Sequence, residues 1–304
     1  MRSGTLLAGV MIACAALAAC TSILEIDRFY VGEDESTEDG GVLADGASTN
    51  DGSTLTESSL LPDGGAPDQA AGDATTPGCL GSEGPTPIKI EMGSVRFCID
   101  STEVTNAQYA KFLASNPLVI GQPAPCGFNN SFVPTSRWPI QNGAENLPVA
   151  GVDWCDARAY CAWAGKRLCG KIGGGSVSPG DRTDPTVSEW MFACTRGGTR
   201  IYSYGSTLAS GSCVSEGWDG SRPAPVGQAA GCNGGFEGLF DLSGNIAEWE
   251  DSCETTNGAA DSCAFRGGEY GHSATGIKCS EVEIYERATR EGWGGIRCCS
   301  AVVD

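Results

Sequence analysis

Histidine is the scarcest reactive side chain in this sequence, since His272 is the single one among 304 residues. A metal centre built from several histidines therefore cannot form within the chain. A Ser-His-Asp or Cys-His catalytic unit would have to use His272. No HExxH, P-loop or GxGxxG motif occurs where it could work, so the usual signatures of metalloproteases and nucleotide-binding enzymes are missing.

Basic residues are also few, with 19 Lys and Arg against 38 Asp and Glu, and a formal net charge of −19. Between Glu25 and Asp73 there are 13 acidic residues and one basic residue, Arg28, so this segment alone carries −12. Such a block repels phosphate groups. It therefore argues against nucleic-acid binding and against electrostatic attachment to anionic lipid.

Long apolar runs are absent except at the N-terminus, where residues 6–19 are almost wholly apolar behind Arg2. The run is too short and too rich in alanine for a membrane span and is typical of an export signal. Its end, Leu17-Ala18-Ala19-Cys20, resembles the bacterial lipobox. We therefore expect a lipoprotein signal peptide over residues 1–19, a lipid on Cys20 and anchoring at the bacterial cell envelope. The alternative is a plain secretory signal with an ordinary Cys20.

Residues 20–78 are rich in Asp, Gly, Ser, Thr, Ala and Pro and contain few large apolar side chains. This composition cannot bury enough surface to offset the entropy of ordering, so it predicts an acidic disordered linker. Spaced Asp-Gly pairs suggest calcium loops, but they lack the ligand pattern of an EF-hand. Thr21 follows Cys20 in place of the aspartate that retains some lipoproteins at the inner membrane, which favours the outer membrane.

The chain has 16 cysteines. Cys14 belongs to the predicted signal and Cys20 to the predicted anchor, so the remaining cysteines lie between Cys79 and Cys299 and are even in number. An exported chain of this kind predicts a disulfide framework. Complete pairing would leave no reactive thiol, although parity alone also allows a few cysteines to stay reduced.

From Cys79 the composition becomes that of a folded domain, and we predict an α+β domain over residues 79–304 with three modest helices. Short strands are predicted over 88–90 and 95–99. The predicted helices are 106–115, capped by Thr105 with Gln108; 154–164, capped by Asp153 and ended by Gly165; and a third begun by Thr186 with Glu189 and ended by Gly197-Gly198.

Several motifs recur in an order typical of one family. They are Ile99 to Tyr109 (IDSTEVTNAQY), Leu147 to Trp154 (LPVAGVDW), Ala157 to Leu168 (ARAYCAWAGKRL), Ser188-Glu189-Trp190 leading to Arg196-Gly197-Gly198, Gly238 to Trp249 (GLFDLSGNIAEW), Arg266-Gly267-Gly268 and Gly295 to Cys298 (GIRC). The region 88–303 thereby resembles the formylglycine-generating enzyme (sulfatase-modifying factor) family. The resemblance implies that family's compact, irregular α+β fold, related to the C-type lectin fold and here rich in disulfides.

The resemblance implies two disulfide bonds, Cys161–Cys298 and Cys194–Cys279. Short separations make further local pairs plausible, namely Cys79–Cys98, Cys213–Cys232 and Cys253–Cys263. Cys299, next to Cys298, needs a different partner, for which Cys155 is a candidate.

In the catalytic members of this family two thiols bind copper(I) and react with a substrate cysteine. Counted from the RGG motif, their positions fall on His272 and Ile277, and residues 269–278 contain no cysteine. Copper(I) prefers soft sulfur ligands, so one imidazole opposite an isoleucine is not such a site. We therefore predict no catalytic residue and interpret His272 as a lone surface or turn histidine.

The resemblance also implies a calcium site at Asn245, Ile246 and Glu248, formed by an amide oxygen, a backbone carbonyl and a carboxylate. The alternative is that Asn245 and Glu248 only cap a turn. A second calcium site of the family would lie near residues 213–219.

One departure from the family is an inserted loop, residues 170–186 (GKIGGGSVSPGDRTDPT). It indicates either an altered binding surface or a tolerated loop expansion.

These observations favour a non-catalytic, lipid-anchored domain that binds a protein or glycan. The alternative is a formylglycine-generating or related copper- or iron-dependent oxidase that uses a displaced thiol such as Cys279. A third possibility is a small-molecule enzyme with an unrecognised metal site.

Overall fold

The computed structural model describes residues 78–304. The predicted signal peptide (1–19), the lipidation site Cys20 and the linker up to residue 77 lie outside the described residues. Helices and strands are few and short. They are β1 (Pro87–Met92), β2 (Val95–Asp100), α1 (Asn106–Ala114), α2 (Trp154–Trp163), β3 (Arg167–Leu168), α3 (Glu189–Thr195), β4 (Asn233–Gly234), β5 (Phe236–Phe240), β6 (Ala247–Cys253), β7 (Ser262–Arg266), β8 (Val282–Glu286), β9 (Gly294–Gly295) and β10 (Cys298–Ser300). The predicted α+β class is confirmed.

The first four-stranded sheet has the order β1-β2-β10-β3. Its hairpin, β1 and β2, matches the two predicted strands, and Ile90 faces Phe97 across it. Strand β10 lies between β2 and β3 and pairs antiparallel with both. The C-terminal end of the described chain is therefore an interior strand of this sheet.

The second four-stranded sheet has the order β8-β7-β6-β9, and β4 and β5 form a separate pair. Strand β7 pairs antiparallel with both β6 and β8, while β9 runs parallel to β6. The loop between β7 and β8 carries the residues that align with the family's reactive segment, so these two strands position the candidate site.

Two of the predicted helix starts are confirmed. Thr105 and Gln108 form a reciprocal capping box at α1. Asp153 caps α2 by accepting a hydrogen bond from the backbone N–H of Asp156, whose own carboxylate accepts from the Asp153 N–H. Each cap satisfies N–H groups that have no partner within the helix, which is why these sequence signals locate helix starts.

The predicted start of α3 is wrong by two residues. Ser188, and not Thr186, is the N-cap, because its hydroxyl accepts from the Met191 N–H at 3.1 Å. Thr186 instead lies in a turn after Asp184, whose carboxylate accepts hydrogen bonds from both the N–H and the hydroxyl of Thr186. The helix ends as predicted before Gly197-Gly198, with Arg196 in a left-handed conformation (φ 51°).

The hydrophobic core is built from three clusters. The largest joins α1 and α2 to β6 and β7 and is dominated by stacked aromatic rings, among them Tyr109, Tyr160, Trp249 and Phe265. A second surrounds the fully buried Trp190 of α3. A third, smaller cluster lies below the loop between β7 and β8. Within residues 78–304 no helix is long and apolar enough to cross a membrane.

Seven disulfide bonds cross-link the domain, and they pair all 14 cysteines between Cys79 and Cys299. The two bonds implied by the family resemblance and the three predicted local bonds are all present. The confirmed bonds are Cys161–Cys298, Cys194–Cys279, Cys79–Cys98, Cys213–Cys232 and Cys253–Cys263.

The prediction that Cys299 pairs with Cys155 is wrong. Cys299 bonds to Cys169, with a Cα–Cα distance of 4.7 Å, because β10 pairs with β3 and Cys169 directly follows β3. Cys155 lies in the first turn of α2 and bonds to Cys126, in the short 3-10 helix Ala124–Cys126.

Candidate functional site

The candidate site is the loop between β7 and β8, which begins at Arg266-Gly267-Gly268. Gly268 has φ +68° and lies against the backbone oxygen of Gly276, so a side chain there would collide with the far end of the loop. A Cβ at this position would also lie 3.0 Å from Nδ1 of His272. Glycine is therefore required for the loop to close back on itself and over the imidazole.

His272 is partly exposed, with one third of its side-chain surface accessible (33%). Its Nδ1 accepts a hydrogen bond from the Glu269 N–H at 3.3 Å and lies 3.4 Å from Oε1 of Glu283 on β8. Its Nε2 is 3.9 Å from Oε1 of Glu269. The predicted turn position is confirmed, but the histidine is not isolated, because two carboxylates flank it.

Sequence reasoning missed both of these carboxylates. Glu269 could have been found from its spacing of three residues before His272 within a turn. Glu283 could not, because its place beside the imidazole depends on the register of β7 against β8. The pKa of Glu283 is raised overall. Burial raises it most, the charge of His272 opposes this shift, and the charge of Glu269 adds to it.

Ile277, at the second thiol position, is buried (2% exposed) and belongs to the third core cluster together with Tyr202 and Val214. An apolar side chain therefore fills the place where the resemblance implies a reactive group. Cys279, the cysteine suggested as a replacement, is fully buried and bonded to Cys194. Among residues 78–304 no cysteine is left unpaired.

Arg266, which opens the loop, is a structural residue. Its guanidinium is fully buried and stacks on the Trp190 ring at 4.8 Å. It donates to the backbone oxygen of Cys279 at 3.1 Å and lies 3.7 Å from the Glu250 carboxylate. Burial lowers the pKa of Arg266, and Glu250 opposes this shift. Arg266 thus joins α3, β6 and the far end of the loop.

The residues of the predicted calcium site are close together but are committed to other partners. Both carboxylate oxygens of Glu248 accept from Nε of Arg297 at 2.9 Å, and one of them also accepts from the Trp190 indole at 2.6 Å. The Asn245 side-chain oxygen accepts from the Ala224 N–H at 2.9 Å. Ile246 is fully buried.

The oxygen atoms of Asn245 and Glu248 do not fit a calcium ion, because the fully buried Arg297 guanidinium occupies the place that a cation would take beside Glu248. Near the second predicted site, the Asp219 carboxylate pairs with Arg222 at 2.7 Å on the surface. Across the described part of the chain, no group of three or more His, Cys, Asp or Glu side chains is arranged to hold a metal ion.

A buried acidic pair next to this ion pair was not foreseen. Glu103 and Asp241 are almost fully buried, and Oε2 of Glu103 has no hydrogen-bond partner. Burial first, and the Asp241 charge second, raise the pKa of Glu103 well above its usual range. Burial raises the pKa of Asp241 to about 6. Arg297 lowers the pKa of both groups, but burial outweighs it, so the pair retains protons that free carboxyls would lose.

The family assignment rests on the whole domain. The model of the sulfatase-modifying factor enzyme 1-like domain matches residues 47–302. The chain belongs to this family.

Two curated relatives and one solved structure illustrate the likeness. The chain is 32% identical over 232 residues to the formylglycine-generating enzyme of Streptomyces coelicolor, covering 59% of this chain and 64% of that protein. It is 35% identical over 118 residues to the inactive C-alpha-formylglycine-generating enzyme 2 of Bos taurus, covering 35% and 33%. It thus spans less than two thirds of both relatives. The crystal structure of CarF matches 74% of this chain and 98% of its own at 18% identity, with a TM-score of 0.49.

The inserted loop of this sulfatase-modifying-factor-like domain is fastened to β6. Val177 donates from its N–H to the Asp251 backbone oxygen at 2.8 Å, and the Ser176 hydroxyl bonds to the Asp251 carboxylate at 2.9 Å. Arg182 is buried and donates to the Ser252 hydroxyl at 2.9 Å. The insertion is therefore part of the folded domain.

Two adjacent concave surfaces lie along α2, and the inserted loop borders the first. The first is a cavity of about 420 Å³, whose walls include Ser176 of the inserted loop, Trp154 and Asp251. The second is a groove of about 520 Å³ between α2 and the segment 115–126. Arg158 lines both. Leu118 and Ile120, which line the groove, are 80% and 87% exposed.

Proposed function

We propose that the chain is a lipid-anchored envelope protein whose sulfatase-modifying-factor-like domain binds a protein or glycan and no longer oxidises cysteine. One observation carries this proposal: all 14 cysteines from Cys79 to Cys299 are in disulfide bonds. Thiolates are the ligands that hold copper(I) and the groups that react, so a domain without them lacks the reagents of the family's reaction.

The two concave surfaces along α2 support a binding role. Loops on a rigid scaffold commonly carry recognition, and here the insertion that distinguishes the domain supplies a wall of one cavity. Cys20 would anchor the chain through its acyl chains, since each buried methylene contributes about 0.8 kcal/mol. The acidic segment before residue 78 would hold the domain away from the membrane, and the lipid would sit in the outer membrane.

The oxidase alternative requires Cys279 as a thiolate. Cys279 is fully buried and bonded to Cys194, so no observation favours this alternative.

The test is thiol counting on the purified chain by alkylation under denaturing, non-reducing conditions, followed by intact mass spectrometry. We expect no alkylation of the cysteines between residues 79 and 299. A native, unalkylated aliquot, incubated with copper(I) and a cysteine-containing sulfatase-type peptide, is expected to leave the peptide unchanged. Two free thiols together with copper(I) binding or peptide oxidation would overturn the proposal.

A further inference from the structure

The ring nitrogen Nδ1 of His272 faces two groups that require opposite protonation states. At 3.3 Å it accepts a hydrogen bond from the Glu269 N–H, which is possible only when Nδ1 carries no proton. At 3.4 Å it faces Oε1 of Glu283, an oxygen that is buried and has no hydrogen-bond partner. Only a protonated Nδ1 could donate to that oxygen.

The loop holds the imidazole between these two partners. A Cβ at Gly268 would lie 3.0 Å from Nδ1, and one at Gly276 would lie 3.1 Å from the His272 Cβ, so glycine at both positions leaves the imidazole its place. The His272 backbone oxygen also accepts from the Glu216 N–H at 2.8 Å. Because Nδ1 has one in-plane bonding direction, a change of partner combines the gain or loss of a proton with a reorientation of the ring.

The two partners belong to different elements. Glu269 lies in the same loop as His272, whereas Glu283 lies on β8. When Nδ1 is unprotonated, its hydrogen bond stays within the loop. When it is protonated, the imidazolium can bond to Glu283, and this charge-assisted bond joins the loop to the strand.

From this geometry we propose that His272 is a proton-operated latch, which fastens the loop 269–278 to β8 in mildly acidic medium and releases it as the pH rises. Histidine is the side chain that ordinarily changes charge between pH 5 and 8. The latch is closed while the imidazole is charged, and it opens as the proton is lost towards neutral and alkaline pH.

Other acidic groups near the imidazole act on both partners. Glu269 lies 3.9 Å from Nε2 and favours a charged ring. Burial, Glu269 and Glu281 raise the pKa of Glu283, whereas the charge of His272 lowers it. Below the raised pKa of Glu283, protonation of that carboxyl removes one partner, so the latch works within a window. The inference stands apart from the proposed function, since it requires neither a bound ligand nor a reactive thiol.

Amide hydrogen exchange of the full chain at pH 5.5 and pH 7.5, corrected for the intrinsic pH dependence of exchange, tests the latch. In the unmodified chain we expect protection of residues 269–278 to be about fivefold higher at pH 5.5, equivalent to about 1 kcal/mol. His272→Asn and Glu283→Gln should each abolish this difference. Glu281→Gln, which removes a neighbouring charge but no contact with the ring, should retain it.

Equal protection of the loop at the two pH values in the unmodified chain would overturn the proposal. So would a pH difference that persists in Glu283→Gln. Protection of β2 and β7, followed in the same samples, shows whether each variant keeps its fold, and an unfolded variant is replaced by Glu283→Ala. Thiol counts do not enter this test, so its failure is distinguishable from failure of the proposed function.

Discussion

Glu103 is a carboxyl group whose pKa burial in the fold raises well above its usual range. It is fully buried, one of its oxygens lacks a partner, and the other accepts from the Asn245 side chain at 3.0 Å. Its neighbour Asp241 has a pKa of about 6, which burial raises from 3.8. The folded chain therefore binds more protons than the unfolded chain over the range between these values, and this pair's contribution to stability falls as the pH rises through it.

Glu103→Gln should flatten this pH dependence. The glutamine side chain can accept from Asn245 and donate to Asp241 without carrying a charge, so the variant should gain about 1–2 kcal/mol over the unmodified chain at pH 7.5. At pH 4, where the carboxyls retain their protons, the two proteins should unfold alike. Chemical unfolding at both pH values, with disulfides intact, measures this. A variant that is less stable at pH 7.5 would show that ionised Glu103 contributes favourably.

Single side chains also show where sequence reasoning reached its limit at the site. His272 and Ile277 were located by counting from a motif, which requires no three-dimensional information. Glu283 and the pairing of Glu248 with Arg297 depend on which strands lie side by side. The calcium prediction overlooked Arg297 because that residue is 49 positions from Glu248 along the chain.

At the scale of elements, helix starts that depend on neighbouring residues were predicted correctly. Thr105 and Asp153 indicate the starts of α1 and α2 because a cap depends on residues within one turn. The start of α3 was misplaced because the prediction took Thr186 as the cap, whereas the Ser188 hydroxyl accepts from the Met191 N–H. The Ser188 hydroxyl also donates to the buried Glu250 carboxylate of β6 at 2.5 Å, a contact that the local sequence does not show.

Replacing each hydroxyl in turn distinguishes the two starts of α3. Ser188→Ala should lower the free energy of unfolding by about 1–2 kcal/mol, because it removes a cap and leaves the Met191 N–H and Glu250 without that partner. Thr186→Ala should cost less than about 0.5 kcal/mol, since that residue lies in an exposed turn. Urea denaturation of both variants gives the comparison. The reverse order of effects would restore the start predicted from the sequence.

The contacts of the inserted loop could not be predicted from the sequence. Its composition predicted a surface loop and left its role open between recognition and tolerance. The sequence gives no indication that Arg182 would be buried against Ser252 or that Ser176 would reach Asp251. These contacts come from packing against β6, so only the folded domain reveals that the insertion forms a wall of a cavity.

At the scale of the whole molecule, disulfide bonds between cysteines close in sequence could be predicted, whereas some distant pairs depend on the fold. Pairs close in sequence, such as Cys213 and Cys232, were predicted from spacing, and two distant pairs were implied by the resemblance. Cys169–Cys299, separated by 130 residues, depends on β10 lying against β3. Each such bond contributes roughly 2–4 kcal/mol, mainly by restricting the unfolded chain.

The proposed anchor belongs to this scale as well. Cys20→Ser should abolish lipidation and move the chain from the detergent-soluble membrane fraction to the aqueous fraction, because the acyl chains supply the main attachment that we propose. Metabolic labelling with a fatty acid, followed by fractionation, measures both effects. Thr21→Ser is the matched control and should stay labelled. Persistent membrane association of an unlabelled Cys20→Ser variant would point to another attachment.

The interior position of β10 has a consequence for how the chain matures. Residues 298–300 complete the first sheet, and Cys298 and Cys299 supply half of two bonds that reach back to Cys161 and Cys169. During ribosomal synthesis the domain therefore cannot close until nearly all of its residues have been made. If the chain is exported unfolded, as the proposed signal peptide implies, the bonds of Cys298 and Cys299 can form only after these two residues have crossed the membrane.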